Sequence, residues 1–235
     1  AAALIYMNGI LFQRRIFMRI DFSGKFYTIT TKIADVIILD LLVLLCCIPI
    51  VTIGASLTAG YYVAMKMSQN HESYIFSSFF KSFRQNFRQS TIIWLILLAL
   101  AAVLFLDFRI VLTQNSGIFR VFVYLLGCVA LLLAFVFLYV FPVLAKFYNT
   151  IRQTFRNAFL MALRHLPYTI AMLFISALPF TILFLNVSLA LRVLPLYLLL
   201  GFSLPIYLNS YFFNKIFENY IPQDGEPSSQ ENPAE

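Results

Sequence analysis

The sequence contains few charged residues, which make up 11% of its 235 residues, whereas hydrophobic residues make up 61%. An ordinary soluble domain has about 25% charged and about 45–50% apolar residues, so this composition excludes the water-soluble class. Five stretches contain no Asp, Glu, Lys or Arg: 41–65, 89–106, 121–145, 165–191 and 193–214. A bilayer core about 30 Å thick needs about 20 apolar residues of helix, so each of the last four stretches can cross it once. The predicted fold is an all-α, polytopic helical bundle in a membrane.

The sequence also lacks the motifs that catalysis and metal binding require. Its three cysteines lie inside apolar stretches and predict no disulfide framework, and its two histidines form no His-Glu-x-x-His pattern. There is no Gly-rich phosphate loop and no Gly-x-Ser-x-Gly elbow. The net charge of +7 could suit nucleic acid, but the basic residues flank apolar stretches in short loops. We expect no enzymatic activity, no cofactor, no metal and no nucleic-acid partner.

The distribution of the basic residues predicts the orientation of the chain. Fourteen of the 17 Lys and Arg residues fall in four segments: 1–32, 66–88, 146–164 and the position of Lys215. The positive-inside rule places these segments together in the cytoplasm. This predicts a bacterial cell-membrane protein with both termini inside and six membrane-embedded segments, at 33–48, 55–67, 90–112, 121–145, 167–190 and 193–213. A five-span protein with its amino terminus outside remains the alternative.

Three regions follow from this organisation. Residues 1–32 form a basic cytoplasmic segment, in which 1–6 precede a natural start at Met7 and are expected to be non-native. Residues 33–220 form a single transmembrane domain. Residues 221–235 are acidic and rich in proline, and are expected to be a disordered tail.

A predicted helix break joins the first two segments. As one helix, residues 33–65 would extend roughly 50 Å, which is too long for one upright span. Pro49 removes a helical donor, and Gly54 weakens the helix that follows. The sequence therefore predicts a break at Pro49 and Gly54. Whether the two short segments both cross the membrane or form a re-entrant hairpin stays open.

Three polar residues at predicted membrane depth are functional candidates, because buried charge in a bilayer is costly. Asp35 follows Lys32 by three residues, which is the spacing of helical neighbours, so a surface ion pair can explain it. Asp40 lies roughly 12 Å deeper along the helix and must face the bundle. It can form a hydrogen bond between helices or belong to a polar pathway. Asn209 is the third candidate, in the last segment.

Two basic amphipathic helices are predicted between the spans, at 76–88 and 147–162. Their aromatic residues recur at helical spacing, with basic residues on a flank. Interfacial anchoring and docking of a partner both fit this pattern. The candidate contacts with lipid headgroups or a partner are Lys81, Arg84, Arg88, Arg152, Arg156 and His165. A structural role is the favoured interpretation of His165, because no second ligand accompanies it.

Several of these segments carry sequence motifs. They are Cys47 to Gly54 with Tyr61-Tyr62, Phe79 to Phe87, Phe141 to Phe147 with Asn149-Thr150, Asn157-Ala158 and His165 to Pro167, and Asn209 to Phe217. Together these motifs resemble the YesL-like family of bacterial integral membrane proteins. The resemblance implies a several-pass protein, often encoded near carbohydrate uptake systems and their sensors, in a family whose biochemical role is unsettled. It also implies that Asn usually stands where this chain has Asp40.

Together these observations predict a non-enzymatic accessory or regulatory component associated with carbohydrate uptake in bacteria. The expected partners are the lipid bilayer and, by resemblance, sugar-uptake transporter subunits or sensor proteins. A small secondary transporter or permease-like protein acting alone is the alternative, because prolines interrupt several spans and broken helices can line a site. The oligomeric state stays open.

Overall fold

The computed structural model describes residues 30–69, 74–113, 117–185 and 187–220. Within these ranges the regular structure is helical. The helices are α1 (30–47), α2 (Ile53–Ser68), α3 (Ile75–Leu112), α4 (Gly117–Lys146), α5 (Ile151–Arg164), α6 (Leu166–Leu185), α7 (Val187–Leu200) and α8 (Ser203–Phe217). Most of the predicted basic amino-terminal segment, 1–29, and the predicted tail, 221–235, lie outside the described residues.

The break between α1 and α2 lies at Pro49, with one difference from the prediction. A short 3₁₀ turn, Ile50–Thr52, follows Pro49, and the Trp94 indole of α3 donates a 2.8 Å hydrogen bond to the Ile50 carbonyl. Gly54 does not belong to the break, because it lies in the first turn of α2. A Cβ there would stand 2.5 Å from the Ser90 carbonyl oxygen of α3. Its lack of a side chain therefore serves the close approach of α2 to α3.

The structure corrects the prediction of a separate amphipathic helix at 76–88. That stretch and the predicted span at 90–112 form one helix of 38 residues, about 57 Å long. No Gly or Pro interrupts it. The Ser90 hydroxyl, at the junction of the two predicted segments, donates a 2.7 Å hydrogen bond to the Asn86 carbonyl of the same helix. Phe79 and Ser82 are buried. The basic stretch therefore continues the axis of the span instead of lying as an independent helix in the headgroup region.

The second predicted amphipathic helix is a separate element. Thr150 and Gln153 form a capping box at the start of α5, in which each side chain satisfies a backbone N–H of the other residue. The helix begins at Ile151, four residues after the predicted start. The chain then bends by 103° between α5 and the first part of α6. The difference from α3 comes from the capped start and this sharp bend.

The last two predicted segments, 167–190 and 193–213, are divided differently in the structure. α6 ends at Leu185, and α7 and α8 follow as separate helices. The chain bends by 41° between Leu194–Leu200 and Ser203–Tyr220, at Gly201 and Phe202. The predicted single segment at 193–213 does not include this second break, because Pro195, Gly201 and Pro205 all lie in the stretch and none of them alone marks its position.

The helices have the length and composition of a membrane protein. In the described residues, two are long and apolar enough to cross a bilayer, Ile75–Leu112 and Val121–Lys146, and the number rises to four if each bent pair forms one span. The outer parts of α3 and α4 expose large apolar side chains, including Val103, Phe105 and Leu125. α1 and α2 are not among the candidate spans. The chain is thus a helical membrane protein, and six embedded segments stay a prediction.

The core surrounds α2, which packs against α3, α4 and α8. Its buried side chains are mostly small, including Ala55, Ala59 and Ala64. Small residues let neighbouring helices approach closely, as is common in membrane bundles. Larger side chains fill the space around it, and Phe213 of α8 meets the Tyr139 ring of α4 edge-on at 5.1 Å. This packing holds α8 beside α1 and α2.

Candidate functional site

Asp40 of α1 is fully buried and caps the start of α8. Its Oδ1 atom accepts hydrogen bonds from the backbone N–H of Phe202 at 3.1 Å and from that of Ser203 at 2.5 Å. The first N–H groups of a helix have no partner within the helix and carry partial positive charge. A carboxylate oxygen accepts their hydrogen bonds, and its negative charge is attracted to their partial positive charge. Asp40 therefore acts as a helix cap supplied by another helix, across 162 positions of sequence.

Gly201 makes the break at this site geometrically feasible. Its N–H donates a 2.7 Å hydrogen bond to the Tyr197 carbonyl, which closes the end of α7. A Cβ on Gly201 would overlap that same carbonyl oxygen and would lie 2.6 Å from the Tyr197 ring atom Cδ2. Any larger residue must shift the backbone here. Gly201 thus permits the helix to break, and Asp40 accepts the hydrogen bonds of the two N–H groups that the break leaves without a partner in α8.

Two buried polar atoms at the same place take no part in these two hydrogen bonds, namely the Oδ2 atom of Asp40 and the hydroxyl oxygen of Ser203. The Ser203 hydroxyl lies close enough to act on the Asp40 carboxyl group, and Oδ2 has no hydrogen bond of good geometry among the described residues. Buried polar atoms are usually paired, and an exception needs an explanation. An oxygen of this kind can accept a donor group or hold a proton. The described residues contain no group of three or more His, Cys, Asp or Glu arranged around a common metal position.

The site lies deep in the bundle. Asp40 is eight residues beyond Lys32, about 12 Å along α1, and Ser203 is twelve residues before Lys215, about 18 Å along α8. If α1 entered a bilayer core about 30 Å thick near Lys32, and α8 near Lys215, both residues would lie close to its middle. Discontinuous helices at such depth form the substrate sites of many transporters. Here a side chain of the protein itself occupies the helix end.

Asn209 takes part in another contact, farther along α8. Its side-chain amide donates a 2.8 Å hydrogen bond to the Ser176 hydroxyl of α6. Asn214 is not among the candidates from the sequence, and its amide donates to the Met65 carbonyl at 3.0 Å and to the Ser68 hydroxyl at 2.6 Å. Nothing local to Asn214 indicates this buried role. The two asparagines tie α8 to α6 and to α2.

A second missed contact joins three helices. The Tyr139 hydroxyl of α4 and the Thr169 hydroxyl of α6 lie 2.8 Å apart, both buried. Thr169 also donates to the Ala162 carbonyl of α5 at 2.8 Å. A Tyr and a Thr in apolar stretches gave no signal in the sequence, because both occur in lipid-facing and buried positions.

Asp35 is only partly buried and lies apart from the Asp40 site. It acts electrostatically on Tyr207 of α8, whose hydroxyl lies 2.7 Å from that of Tyr211. Five residues, or about 7.5 Å of helix, separate Asp35 from Asp40. The structure therefore places these two predicted candidates in different surroundings on the α1–α8 contact.

The predicted basic contact residues of α3 and α5 are exposed. Lys81, Arg84 and Arg88 lie along the first half of α3, and Arg152 and Arg156 lie along α5. A hydrogen bond connects the two regions, because the Gln89 side chain of α3 donates to the Asn149 carbonyl before α5 at 2.6 Å. The α3 basic stretch thus contacts the segment that leads into α5, at Gln89 and Asn149.

His165 lies at the sharp bend between α5 and α6. Its Nε2 atom is 3.2 Å from the Tyr220 hydroxyl, and the two rings meet edge-on. Partial burial lowers the pKa of His165 below its ordinary value, and the neighbouring Arg164 guanidinium lowers it further. The contact fits the structural role that the sequence favours.

Comparison with known proteins places these features in a family context. Residues 36–108, from α1 into α3, match a family model described as a protein of unknown function, DUF624. The chain is also 36% identical over 104 residues to the "Uncharacterized protein YesL" of Bacillus subtilis strain 168, a match that covers 44% of this chain and 48% of that protein. The matched region thus spans about half the length of the curated relative. No solved structure matches the chain. The two sequence matches confirm the resemblance to the YesL-like family that its motifs predict.

Proposed function

We propose that this membrane protein is a non-enzymatic accessory or regulatory component of a bacterial carbohydrate uptake system. The family resemblance supports the setting, and the exposed cationic surface of α3 supports the mode of action. That surface, formed by Lys81, Arg84 and Arg88 and called the α3 basic surface below, would bind an acidic region of a transport subunit or sensor.

The continuity of α3 is the observation that carries this proposal. One face of its first half is anchored in the core through Phe79 and Ser82, while the α3 basic surface is exposed. The same helix continues into a candidate span. A rigid helix presents charge at a defined place, and complementary charge gives specificity and faster association. Arg152 and Arg156 on α5 can extend the contact, because Gln89 joins the two regions.

Purification from membranes in mild detergent tests the proposal. The full chain should recover a stoichiometric transport subunit or sensor, identified by mass spectrometry. Replacing Lys81, Arg84 and Arg88 together by Gln should lower its recovery about tenfold, since three contacts of about 0.5 kcal/mol each amount to that factor.

The matched control replaces Arg109 and Arg192 by Gln, because both are exposed and lie on the predicted outer side. It should leave recovery unchanged. The proposal fails if several detergents yield no stoichiometric partner, or if the control lowers recovery as much as the triple variant does.

The proposed function requires the basic surfaces to face the cytoplasm. Reporters fused before Arg14 and after Gln69 test this orientation. Cytoplasmic signals from both positions support both termini inside, as the six-segment topology requires. An external signal before Arg14 would support the five-span alternative.

A secondary transporter acting alone is the second candidate, and the α7–α8 break favours it. Broken helices at membrane depth expose backbone groups around a site, and Asp40 retains an oxygen without a described partner there. Solute flux in proteoliposomes containing only this protein would support the second candidate. If Asp40→Asn abolished such flux while the protein remained folded, the accessory function would lose to the transporter.

A further inference from the structure

A cavity of about 320 Å³ lies beside α5, away from the Asp40 site. Its walls come from the segment after α4, from one side of α5 and from the 3₁₀ turn Glu218–Tyr220 that follows α8. The lining residues are Phe147, Asn149, Asn157, Leu160, Met161, Arg164 and Tyr220. We refer to it as the α5 pocket.

Four of these residues form a stripe on α5. Asn157, Leu160, Met161 and Arg164 follow the spacing of three, four and seven residues that places side chains on one side of a helix. A polar amide and a guanidinium stand at the two ends, about 10.5 Å apart along the axis. Apolar side chains lie between them. The pocket thus offers polar groups and apolar surface to the same ligand.

The charge in the pocket selects an anion. Arg164 is the cationic lining residue, and the lining set includes no carboxylate. Its guanidinium carbon lies 5.8 Å from the centre of the Tyr220 ring. A guanidinium placed against a ring is held in orientation, while its edge N–H groups can still bind phosphate. The Tyr220 hydroxyl is in turn 3.2 Å from His165, which fixes the ring.

The position of the pocket indicates that the anion belongs to a lipid. α5 meets the first part of the apolar helix α6 at 103°, so α5 can lie along the membrane surface when α6 enters the membrane. The outer side of the second half of α5 is apolar, with Leu160 50% exposed and Phe159 and Leu163 also exposed. Leu160 belongs both to the pocket and to this apolar surface. A ligand bound there can leave its acyl chains in the bilayer.

We propose that the α5 pocket binds an anionic phospholipid, with its phosphate at Arg164 and its glycerol and upper acyl carbons against Leu160 and Met161. Asn157 and Asn149 supply amide groups for the headgroup. Basic pockets beside membrane helices commonly bind anionic headgroups. Such a lipid would hold α5 and the end of α8 together through Tyr220, and this binding does not depend on the proposed transport partner.

Native mass spectrometry of the full chain, reconstituted with phosphatidylglycerol or phosphatidylcholine, tests the proposal. The protein should retain phosphatidylglycerol preferentially. Arg164→Gln should weaken that retention about tenfold, the effect of removing one charge-assisted contact. Leu160→Trp should also weaken it, because the larger side chain fills the cavity from a half-exposed position. Arg152→Gln is the matched control, since Arg152 is exposed on the same helix but does not line the pocket.

The emission of Trp94, the single tryptophan of the chain, should be the same in Arg164→Gln and Arg152→Gln as in the unchanged protein, which would show that both variants fold. Leu160→Trp adds a second tryptophan, so its folding is checked by circular dichroism instead. Equal loss in Arg164→Gln and Arg152→Gln, or equal retention of the two lipids, would overturn the proposal. Displacement of phosphatidylglycerol by millimolar inorganic phosphate would instead identify a site for soluble phosphate. If Arg164→Gln alters the Trp94 emission, the lipid retention of Leu160→Trp is used instead. Weaker phosphatidylglycerol retention in that variant would support the proposal, and unchanged retention would overturn it.

Discussion

Replacing Asp40 by Ala should destabilise the protein through α8 rather than through α1. The substitution removes the acceptor of the Phe202 and Ser203 N–H groups, at 3.1 and 2.5 Å. Both donors would then stand at a helix start inside the bundle, where water cannot easily replace the carboxylate. Asp40→Asn should behave differently, because the amide oxygen can accept the same two hydrogen bonds.

The expected loss of unfolding free energy follows from the two N–H donors that lose their acceptor. Leaving a buried hydrogen-bonding group without a partner costs about 1–3 kcal/mol, and loss of a helix cap typically costs about 1 kcal/mol. The two bonds belong to one cap, so we expect about 2–4 kcal/mol for Asp40→Ala. For a protein of this size, about 1 kcal/mol changes Tm by about 2–4 °C, so Tm should fall by about 4–16 °C. Asp40→Asn should cost less than about 1 kcal/mol.

Thermal unfolding in mild detergent, followed by Trp94 emission, measures these differences. Asp35→Ala is the control, because Asp35 lies on the same helix but is only partly buried. It should change Tm by at most about 2 °C, because a charge that still reaches solvent contributes little to stability.

Two results would refute the capping argument. If Asp40→Asn lowered Tm as much as Asp40→Ala, the negative charge itself would matter and an ion or proton site would be the better explanation. If Asp40→Ala left Tm unchanged, the two N–H groups would have found another acceptor.

Three further perturbations have defined outcomes. Gly201→Ala should destabilise the protein by about 1–3 kcal/mol in the same unfolding assay, because the new Cβ would overlap the Tyr197 carbonyl. Gly127 has open space around it, so the control Gly127→Ala should be neutral or stabilise the protein by up to about 1 kcal/mol. Thr150→Ala should cost about 1 kcal/mol through loss of the capping box, and faster amide exchange confined to the first turn of α5 would show the cause. Burial lowers the pKa of His165, so the unfolded chain binds a proton at this residue more readily than the folded protein does. The contribution of neutral His165 to stability should therefore be full above pH about 6.5 and be lost as the pH falls below that value. An NMR titration that finds an ordinary or raised pKa would contradict this.

The predictions from sequence succeed where a local rule governs the chain. Pro49 has no backbone N–H to donate, so a helix must end near it regardless of the surrounding helices. α1 ends two residues before it. The capping pair before α5 also acts within one turn, although it is not predicted and the predicted start at 147 is four residues too early. The prediction fails for α3, because aromatic and basic periodicity indicates which faces differ but does not indicate where one helix stops and the next begins. With no breaker between Ile75 and Leu112, the helix continues.

Gly54 and Gly201 show why single residues mislead. A Gly in an apolar stretch can break a helix, admit a neighbour or do neither. Gly54 admits α3, Gly201 permits the α7–α8 break, and Gly127 has open space around it. The neighbours of Gly54 are residues of α3 about 40 positions away, whereas Gly201 meets Tyr197 only because the chain turns at that point. The Gly residue alone does not distinguish these cases.

The sequence by itself determined that this is a helical membrane protein with its first break at Pro49, and that Asp40 must find a use inside the bundle. Hydropathy and the missing proline donor suffice for this, since both act on the chain wherever it folds. Only the tertiary structure decided what Asp40 does, because its partners are backbone groups 162 and 163 positions away. Backbone N–H groups leave no signature in a sequence, and those of Phe202 and Ser203 need an acceptor only because the chain breaks at the adjacent Gly201.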